Sequence, residues 1–155
     1  MGQPTTMPRA GACNGTALRK ATRRVSQLYD AVLAPSGLRS TQRSILIHIA
    51  RAGSPTMGEL AAALILDRSA LAHNIKPLER DGFVALAADG QDQRVRRVSL
   101  TEAGVAKLAE TTRLWETAQD RFERAFGVEE ARSLRAALSV IASDDFIEAF
   151  ERSPI

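Results

Sequence analysis

Three arginines lie within four residues, Arg94, Arg96 and Arg97, in a polar segment that opens with Asp92. Guanidinium groups in an exposed loop are suited to bind phosphate oxygens or to enter a minor groove. The segment follows two short helical patterns in residues 56–82, which have the spacing of a helix-turn-helix. Such a pair of helices followed by a basic hairpin contacts two adjacent grooves of duplex DNA. Residues 56–100 therefore predict nucleic-acid binding.

The second helix of this pair carries polar side chains on the side that faces away from its apolar stripe. They are Ser69, His73, Asn74 and Lys76. An Asn side chain can form two hydrogen bonds to adenine, and Lys can bind guanine or phosphate. The alternative interpretation is an ordinary solvated helix face, because the three basic residues of this segment are matched by three acidic ones.

The three arginines after Asp92 also have an alternative interpretation, which is an exposed cluster without function. Side chains alternate between the two faces of a strand, so Arg96 and Arg97 cannot both face DNA in the same way. We expect one of the two to serve as a structural ion-pair partner.

Several local patterns predict the elements that position these residues. Ser40 is placed to cap a helix that Gly53 ends, and Thr56 with Glu59 forms a capping box for the next helix. Asp67 is placed to cap the second helix of the pair, which Gly82 ends. Pro77 falls inside that helix and predicts a kink or a poorly bonded turn.

Two strand-like runs follow, at residues 83–86 and 95–100, and the polar segment between them is long enough to project as a loop. Thr101 is placed to cap a long helix that Gly127 ends, and a last helix is predicted from Val128 to about Phe150. The fold class is mainly α with a small β-hairpin wing.

We expect a tail at residues 1–12 and one domain at residues 13–155, with the winged helix-turn-helix at about 40–100. Apolar stripes recur in the helical regions 14–34 and 101–150, which a 45-residue DNA-binding module cannot cover. The expectation is that these helices form a homodimer, which would present two winged helix-turn-helix segments to two half-sites of the DNA. An intramolecular bundle is the alternative.

Composition excludes several classes of protein. Residues 1–97 contain 14 Lys and Arg against 7 Asp and Glu, whereas residues 98–155 contain 7 against 11, which suggests that one surface meets a polyanion. No apolar run is long enough to span a membrane, and the single cysteine excludes an internal disulfide, so we expect a cytoplasmic protein. There is no motif for an enzyme, a cofactor or a metal site.

The chain resembles the MarR (multiple antibiotic resistance regulator) family over residues 14–150. The matching segments are MGELA at 57–61, LDRSAL at 66–71, PLERDGFV at 77–84 and DQRVRRVSLTEAG at 92–104. The resemblance implies a homodimeric winged helix-turn-helix regulator, usually a repressor, that binds a pseudo-palindromic operator. It implies that the helix from Arg68 enters the major groove. Arg94 would reach the adjacent minor groove at the wing tip, with Asp92 orienting it.

The resemblance also implies a signal that releases DNA. One possibility is an aromatic, phenolic or acyl thioester ligand, for which Tyr29, His48 and Trp115 are candidate pocket residues. In the alternative interpretation, Trp115 is dimer core and His48 is a satisfied helix residue. Another possibility is oxidation of Cys13, because a helix N-terminus lowers a thiol pKa. A helical adaptor that has lost DNA binding is a further alternative.

Overall fold

The computed structural model describes residue 11 and residues 13–154, so the expected tail at 1–12 lies outside the described residues except for Gly11. The chain divides into two compact units, residues 1–115 and 116–155. The elements of the first unit are α1 (Asn14–Leu33), a short 3-10 helix (Ala34–Ser36), α2 (Ser40–Ala52), α3 (Met57–Ala63), α4 (Arg68–Arg80), β1 (Val84–Ala88), β2 (Arg96–Leu100) and the first part of α5 (Glu102–Phe126).

The helix starts follow hydrogen bonds from backbone amides to side-chain oxygens. The predicted capping box is confirmed: Thr56 Oγ1 accepts from the amide of Glu59 at 3.1 Å, and Glu59 Oε2 accepts from the amide of Thr56 at 2.7 Å. Asp67 Oδ1 accepts from the amide of Ala70 at 2.7 Å, which caps α4 as predicted. These two caps fix where the helices of the helix-turn-helix begin.

The cap predicted for α2 was wrong. Ser40 is the first residue of the helix, and Arg39 occupies the cap position. The amide and hydroxyl of Ser40 both donate to Asp30 Oδ1 of α1, at 2.7 and 2.6 Å, so this serine joins α1 to α2.

The helix α4 continues through Pro77 to Arg80, so the proline does not end it. Pro77 has no amide hydrogen to donate to the carbonyl four residues earlier, yet its own carbonyl accepts from the amide of Asp81 at 2.9 Å. Gly82 follows with φ +76°, the left-handed conformation that the sequence predicts at this end.

The turn between α3 and α4 contains a residue with an unusual backbone conformation. Ile65 has φ +51°, and it is the one residue other than glycine with positive φ in the part of the chain that the structure describes. Its side chain is 71% exposed. A β-branched residue is strained in this conformation.

A single apolar core holds the first unit together. It contains side chains from α2, α3, α4 and both strands, among them Ile45, Leu46, Ile49, Leu60, Leu71, Ile75, Leu78, Val84 and Val98. Burial of these faces leaves the outer side of α4 and the hairpin on the surface.

The two strands pair antiparallel, with Val84 opposite Leu100 and Ala88 opposite Arg96. Both strands start one residue later than predicted, and β1 ends two residues later than predicted. Residue 83 is outside β1 because the amide of Phe83 donates to the carbonyl of Leu78 at 2.8 Å and so belongs to the end of α4. On its other edge, β2 meets the α2–α3 connection, where the amide of Val98 donates to the carbonyl of Pro55 at 2.9 Å.

Close backbone contact sets the start of α5. Thr101 Oγ1 accepts from the amide of Gly104 at 3.0 Å, which confirms the predicted cap. A Cβ atom on Gly104 would lie 1.9 Å from the carbonyl oxygen of Phe83, so only glycine fits at this position.

The second unit consists of α5 from Glu116, α6 (Val128–Ile141) and α7 (Asp144–Arg152). The single last helix predicted to run from Val128 to about Phe150 was wrong, because Ser143 starts a new helix by accepting from the amide of Phe146 at 3.3 Å. Apolar side chains of α6 and α7 are exposed, including Val140, Ile147 and Phe150. Within the described residues, no helix is both long and apolar enough to cross a bilayer.

Candidate nucleic-acid interface

The outer face of α4 is polar and accessible. Arg68, Ser69, His73 and Lys76 are exposed. Asn74 is half-buried, and its Nδ2 donates to the carbonyl of Ala70 at 2.9 Å. A bidentate contact to adenine needs one amide hydrogen and Oδ1, so the bond to Ala70 leaves one hydrogen of Asn74 for such a contact.

The loop of the wing has an ordered turn at its tip. The carboxylate of Asp92 accepts from the amide of Arg94 at 2.9 Å, and the carbonyl of Asp92 accepts from the amide of Val95 at 3.0 Å. Asp92 therefore orients the backbone of Arg94, while the guanidinium of Arg94 is exposed. Arg96 is also exposed, on the first position of β2.

Arg97 forms two side-chain hydrogen bonds within the protein. Its Nε donates to Asp89 Oδ1 at 2.9 Å, and its Nη1 donates to the carbonyl of Ser54 at 2.8 Å. Asp89, Arg97 and the Ser54 carbonyl are termed the wing anchor below, because they join the base of the wing to the α2–α3 connection. Arg97 is thus the ion-pair partner that strand alternation led us to expect.

The wing anchor changes the ionisation of its own groups. The hydrogen bond from Arg97 lowers the pKa of the Asp89 carboxyl below its ordinary value, and the hydrogen bond to Asp89 raises the pKa of Arg97. Both groups are therefore charged at neutral pH, and the pair is intact there.

The helix-turn-helix and the wing lie in one folded unit. β1 packs on α4, and β2 packs on α2 and α3, so the exposed face of α4 and the arginines of the wing are held by the same core. Sequence reasoning missed Asp89 and Ser54 as positioning groups, since Ser54 lies 43 residues from Arg97.

The three candidate pocket residues line one cavity of about 310 Å³, here termed the Trp115 cavity. Tyr29, His48 and Trp115 come from α1, α2 and α5. The sequence did not single out Arg43 and Arg51, which also line it. The guanidinium of Arg43 is stacked 4.8 Å from the centre of the Trp115 ring, and His48 Nδ1 lies 2.8 Å from the Ser44 carbonyl. Arg43 and Arg51 give the cavity positive charge, and none of its lining residues is acidic.

Cys13 occupies the cap position of α1 and is exposed. Its Sγ accepts from the amide of Thr16 at 3.4 Å. Hydrogen bonds from Thr16, first from its side chain and then from its amide, lower the pKa of the thiol below its ordinary value of 9.0. The described residues contain no group of three His, Cys, Asp or Glu side chains that could hold a metal ion.

Comparison with known proteins assigns this arrangement to a family. The MarR family model matches residues 36–95. The structure of the transcriptional regulator MosR of M. tuberculosis in complex with DNA superposes with a TM-score of 0.78 at 34% sequence identity, and the match covers 88% of this chain and 97% of MosR. The chain belongs to the MarR family. It is therefore a winged-helix transcriptional regulator that binds DNA, as the sequence predicted.

Two further relatives agree with this assignment. The transcriptional repressor CouR bound to a DNA duplex superposes with a TM-score of 0.78 at 27% identity, covering 84% of this chain and 93% of CouR. The transcriptional activatory protein BadR of Rhodopseudomonas palustris is 37% identical over 71 residues. That stretch is 44% of this chain and spans 41% of the length of BadR.

Proposed function

We propose that α4 of this MarR-family regulator enters the major groove and that the wing enters the adjacent minor groove. The contacts on α4 are Arg68, Ser69, His73, Asn74 and Lys76. In the wing, Arg94 reaches the minor groove and Arg96 a phosphate, while Asp92 orients Arg94. The observation that carries the proposal is the Asp92 turn, which presents the exposed Arg94 from the same folded unit as α4. Arg97 acts mainly through the wing anchor and adds charge near the DNA backbone.

We infer that the regulator is a homodimer on a pseudo-palindromic operator. The support is the exposed apolar surface of α6 and α7, which includes Phe150 at 72% exposure. A second copy would remove this surface from water. A two-fold dimer would also present two copies of α4 to half-sites about one turn of DNA apart.

The experiment is a DNA-binding titration with the DNA upstream of the chain's own gene, at several salt concentrations and with unrelated competitor DNA. We expect Arg94→Ala to weaken binding and to shallow the slope of log K against log salt by about 1 per wing. Arg23→Ala, which removes an exposed arginine of α1, is the matched control and should leave the slope unchanged. An equal slope for Arg94→Ala and the wild type would reject the contact. An absence of specific binding would show that this upstream DNA does not contain the operator.

Repression released by a small ligand is the regulatory part of the proposal. The Trp115 cavity supports it, since aromatic walls and two arginines suit an aromatic or phenolic acid, or the acyl part of an acyl thioester. Trp115 is the single tryptophan of the chain, so its fluorescence reports on this cavity. We expect 4-hydroxybenzoate to change Trp115 fluorescence and to lower DNA affinity.

Transcription of the target gene should rise when the gene for this regulator is deleted. A fall in transcription would indicate an activator.

Oxidation of Cys13 is a second candidate signal, favoured by the exposed thiol and its lowered pKa. The thiolate would attack hydrogen peroxide, forming a sulfenic acid and releasing hydroxide. Peroxide should then lower the DNA affinity of the wild type and leave Cys13→Ser unaffected. An equal response of the two proteins would exclude Cys13 as the sensor.

A further inference from the structure

A histidine lies at the centre of the outer face of α4. The buried side of this helix consists of three apolar residues, Leu71, Ile75 and Leu78. With 3.6 residues per turn, His73 lies on the opposite side, between Ser69 one turn before it and Lys76 one turn after it. All three of these polar side chains are exposed. The imidazole is therefore in the middle of the helix face that is available to a ligand.

The imidazole of His73 has no partner within the part of the chain that the structure describes, where it forms neither a hydrogen bond nor an ion pair. Other polar groups of α4 are engaged within the protein. Arg80 Nε donates to Asp81 Oδ1 at 2.9 Å, and Asn74 donates to the Ala70 carbonyl. Both ring nitrogens of His73 are thus available to bind DNA.

The charged groups around α4 leave this imidazole free. The helix contacts α2, α3 and β1, and β1 contains no charged residue. The titratable and charged side chains of the other two helices are Arg43, His48 and Arg51 of α2 and Glu59 of α3. None of them is bonded to His73. Within α4, Lys76 is the one charged residue three or four positions from His73, so no carboxylate at these spacings competes with DNA for the ring.

Protonation changes what this side chain can bind. Histidine is the residue whose charge ordinarily changes between about pH 5 and 8. A neutral imidazole has one N–H donor and one acceptor nitrogen, whereas an imidazolium has two donors and a positive charge. A helix in the major groove meets the phosphate oxygens and the N7 and O6 atoms of guanine, which are all acceptors. The protonated ring is therefore the form that matches DNA.

We propose that His73 binds DNA as the imidazolium, so that each α4 takes up one proton when it enters the major groove. The proton comes from the solvent and returns to it when DNA dissociates. Because DNA favours the protonated form, the regulator binds its operator more tightly as the pH falls below neutral. This inference rests on the proposed contact between α4 and DNA, and it adds that operator binding depends on pH through one named residue.

The test is a titration of operator DNA at about pH 6, 7 and 8 and constant ionic strength. The operator is first selected by the wild-type protein from random-sequence duplexes. We expect the affinity of the wild type to fall severalfold from the lowest to the highest pH, with a limit of about tenfold per pH unit for each proton taken up. His73→Gln cannot become charged and His73→Arg is always charged, so both should bind with an affinity that does not change with pH. A wild-type affinity that is constant with pH, or an equal change in His73→Gln, would overturn the proposal.

Two control variants remove the other groups that titrate in this range. His48 is the second histidine of the chain, and Cys13 has a lowered thiol pKa. Neither residue lies on α4. His48→Gln and Cys13→Ser should therefore each keep the pH dependence of the wild type, whatever their affinity at a given pH. Loss of the dependence in either variant would assign the proton to that residue and overturn the role of His73.

A duplex of unrelated sequence separates the two kinds of acceptor. A phosphate contact gives the same pH dependence on the unrelated duplex and on the operator, whereas a guanine contact gives it on the operator alone. Either result supports proton uptake by His73. If no selected duplex is bound more tightly than unrelated DNA, the proposed function is wrong and this inference is wrong with it. Specific binding that does not depend on pH would overturn this inference alone.

Discussion

Neighbouring arginines in the wing differ in what holds them. Arg96 is exposed at the first position of β2, whereas Arg97 bonds to Asp89 and to the Ser54 carbonyl. Adjacent strand residues point to opposite faces, so one side chain faces solvent and the other faces the α2–α3 connection. The alternation is readable from the sequence, but the partners of Arg97 depend on how β2 docks against a segment 43 residues away.

The wing anchor predicts a dependence of stability on acid pH. Asp89 has a lowered pKa in the folded protein, so its contribution is complete above its ordinary value of 3.8 and is lost as pH falls through the lower folded-state value. We expect Asp89→Asn to unfold at lower urea concentration than the wild type at neutral pH. This difference should shrink below pH 3.8. A difference that is the same at every pH would argue against the charged pair.

The thiol of Cys13 yields a second residue-level prediction. Because the first cause of its lowered pKa is the side chain of Thr16, Thr16→Val should raise the pKa of Cys13. Alkylation by iodoacetamide near neutral pH should then be slower in Thr16→Val than in the wild type. Thr22→Val, an exposed threonine of the same helix, is the control. Equal rates in all three proteins would show that Thr16 does not activate the thiol.

Helix boundaries were predictable where a capping residue precedes a clear apolar pattern. Thr56 and Asp67 satisfy this condition, and both caps form as expected. Ser143 does not, because the apolar residues on either side, Ile141 and Phe146, read as one continuous stripe. The sequence therefore predicted one helix where the structure has two, α6 and α7. The cap predicted at Ser40 does not form for another reason, because the Ser40 hydroxyl donates a hydrogen bond to Asp30 in a different helix.

The start of α5 predicts unequal effects of two similar substitutions. Gly104→Ala places a Cβ atom 1.9 Å from the Phe83 carbonyl oxygen, and the backbone must shift to accept it. We expect a loss of about 2 kcal/mol in the free energy of unfolding. Gly58→Ala is the matched control in α3, where the nearest atom would be 3.7 Å away. It should gain about 0.5–1 kcal/mol from helix propensity. Urea unfolding measures both, and a stable Gly104→Ala would contradict the close approach.

On the scale of the whole molecule, charge and apolar exposure are segregated along the chain. The basic excess lies in residues 1–97 and the acidic excess in residues 98–155, and the exposed aromatic residues of α7 fall in the second region. The sequence revealed this segregation directly. It did not reveal which apolar side chains stay exposed in one copy of the chain, since that depends on packing between helices.

The proposed homodimer predicts the effect of a charge on α7. Phe150 is 72% exposed, so Phe150→Asp removes little burial within one chain. We expect this variant to keep its helical circular dichroism, to sediment at half the mass of the wild type at low micromolar concentration, and to bind operator DNA more weakly. Glu151→Gln, an exposed neighbour, should sediment as the wild type. Sedimentation of Phe150→Asp with the wild-type mass would place the dimer contacts elsewhere.

The strained turn at Ile65 has a practical consequence for handling this regulator. Left-handed backbone costs an ordinary residue about 1–2 kcal/mol, and Asn tolerates it better than Ile. Since the Ile65 side chain is 71% exposed, Ile65→Asn sacrifices little burial and relieves that cost. A gain of about 1 kcal/mol corresponds to a rise of roughly 2–4 °C in the melting temperature of a chain of this size. The melting temperature of this regulator can therefore be raised by a substitution in the helix-turn-helix at a residue outside the proposed DNA contacts.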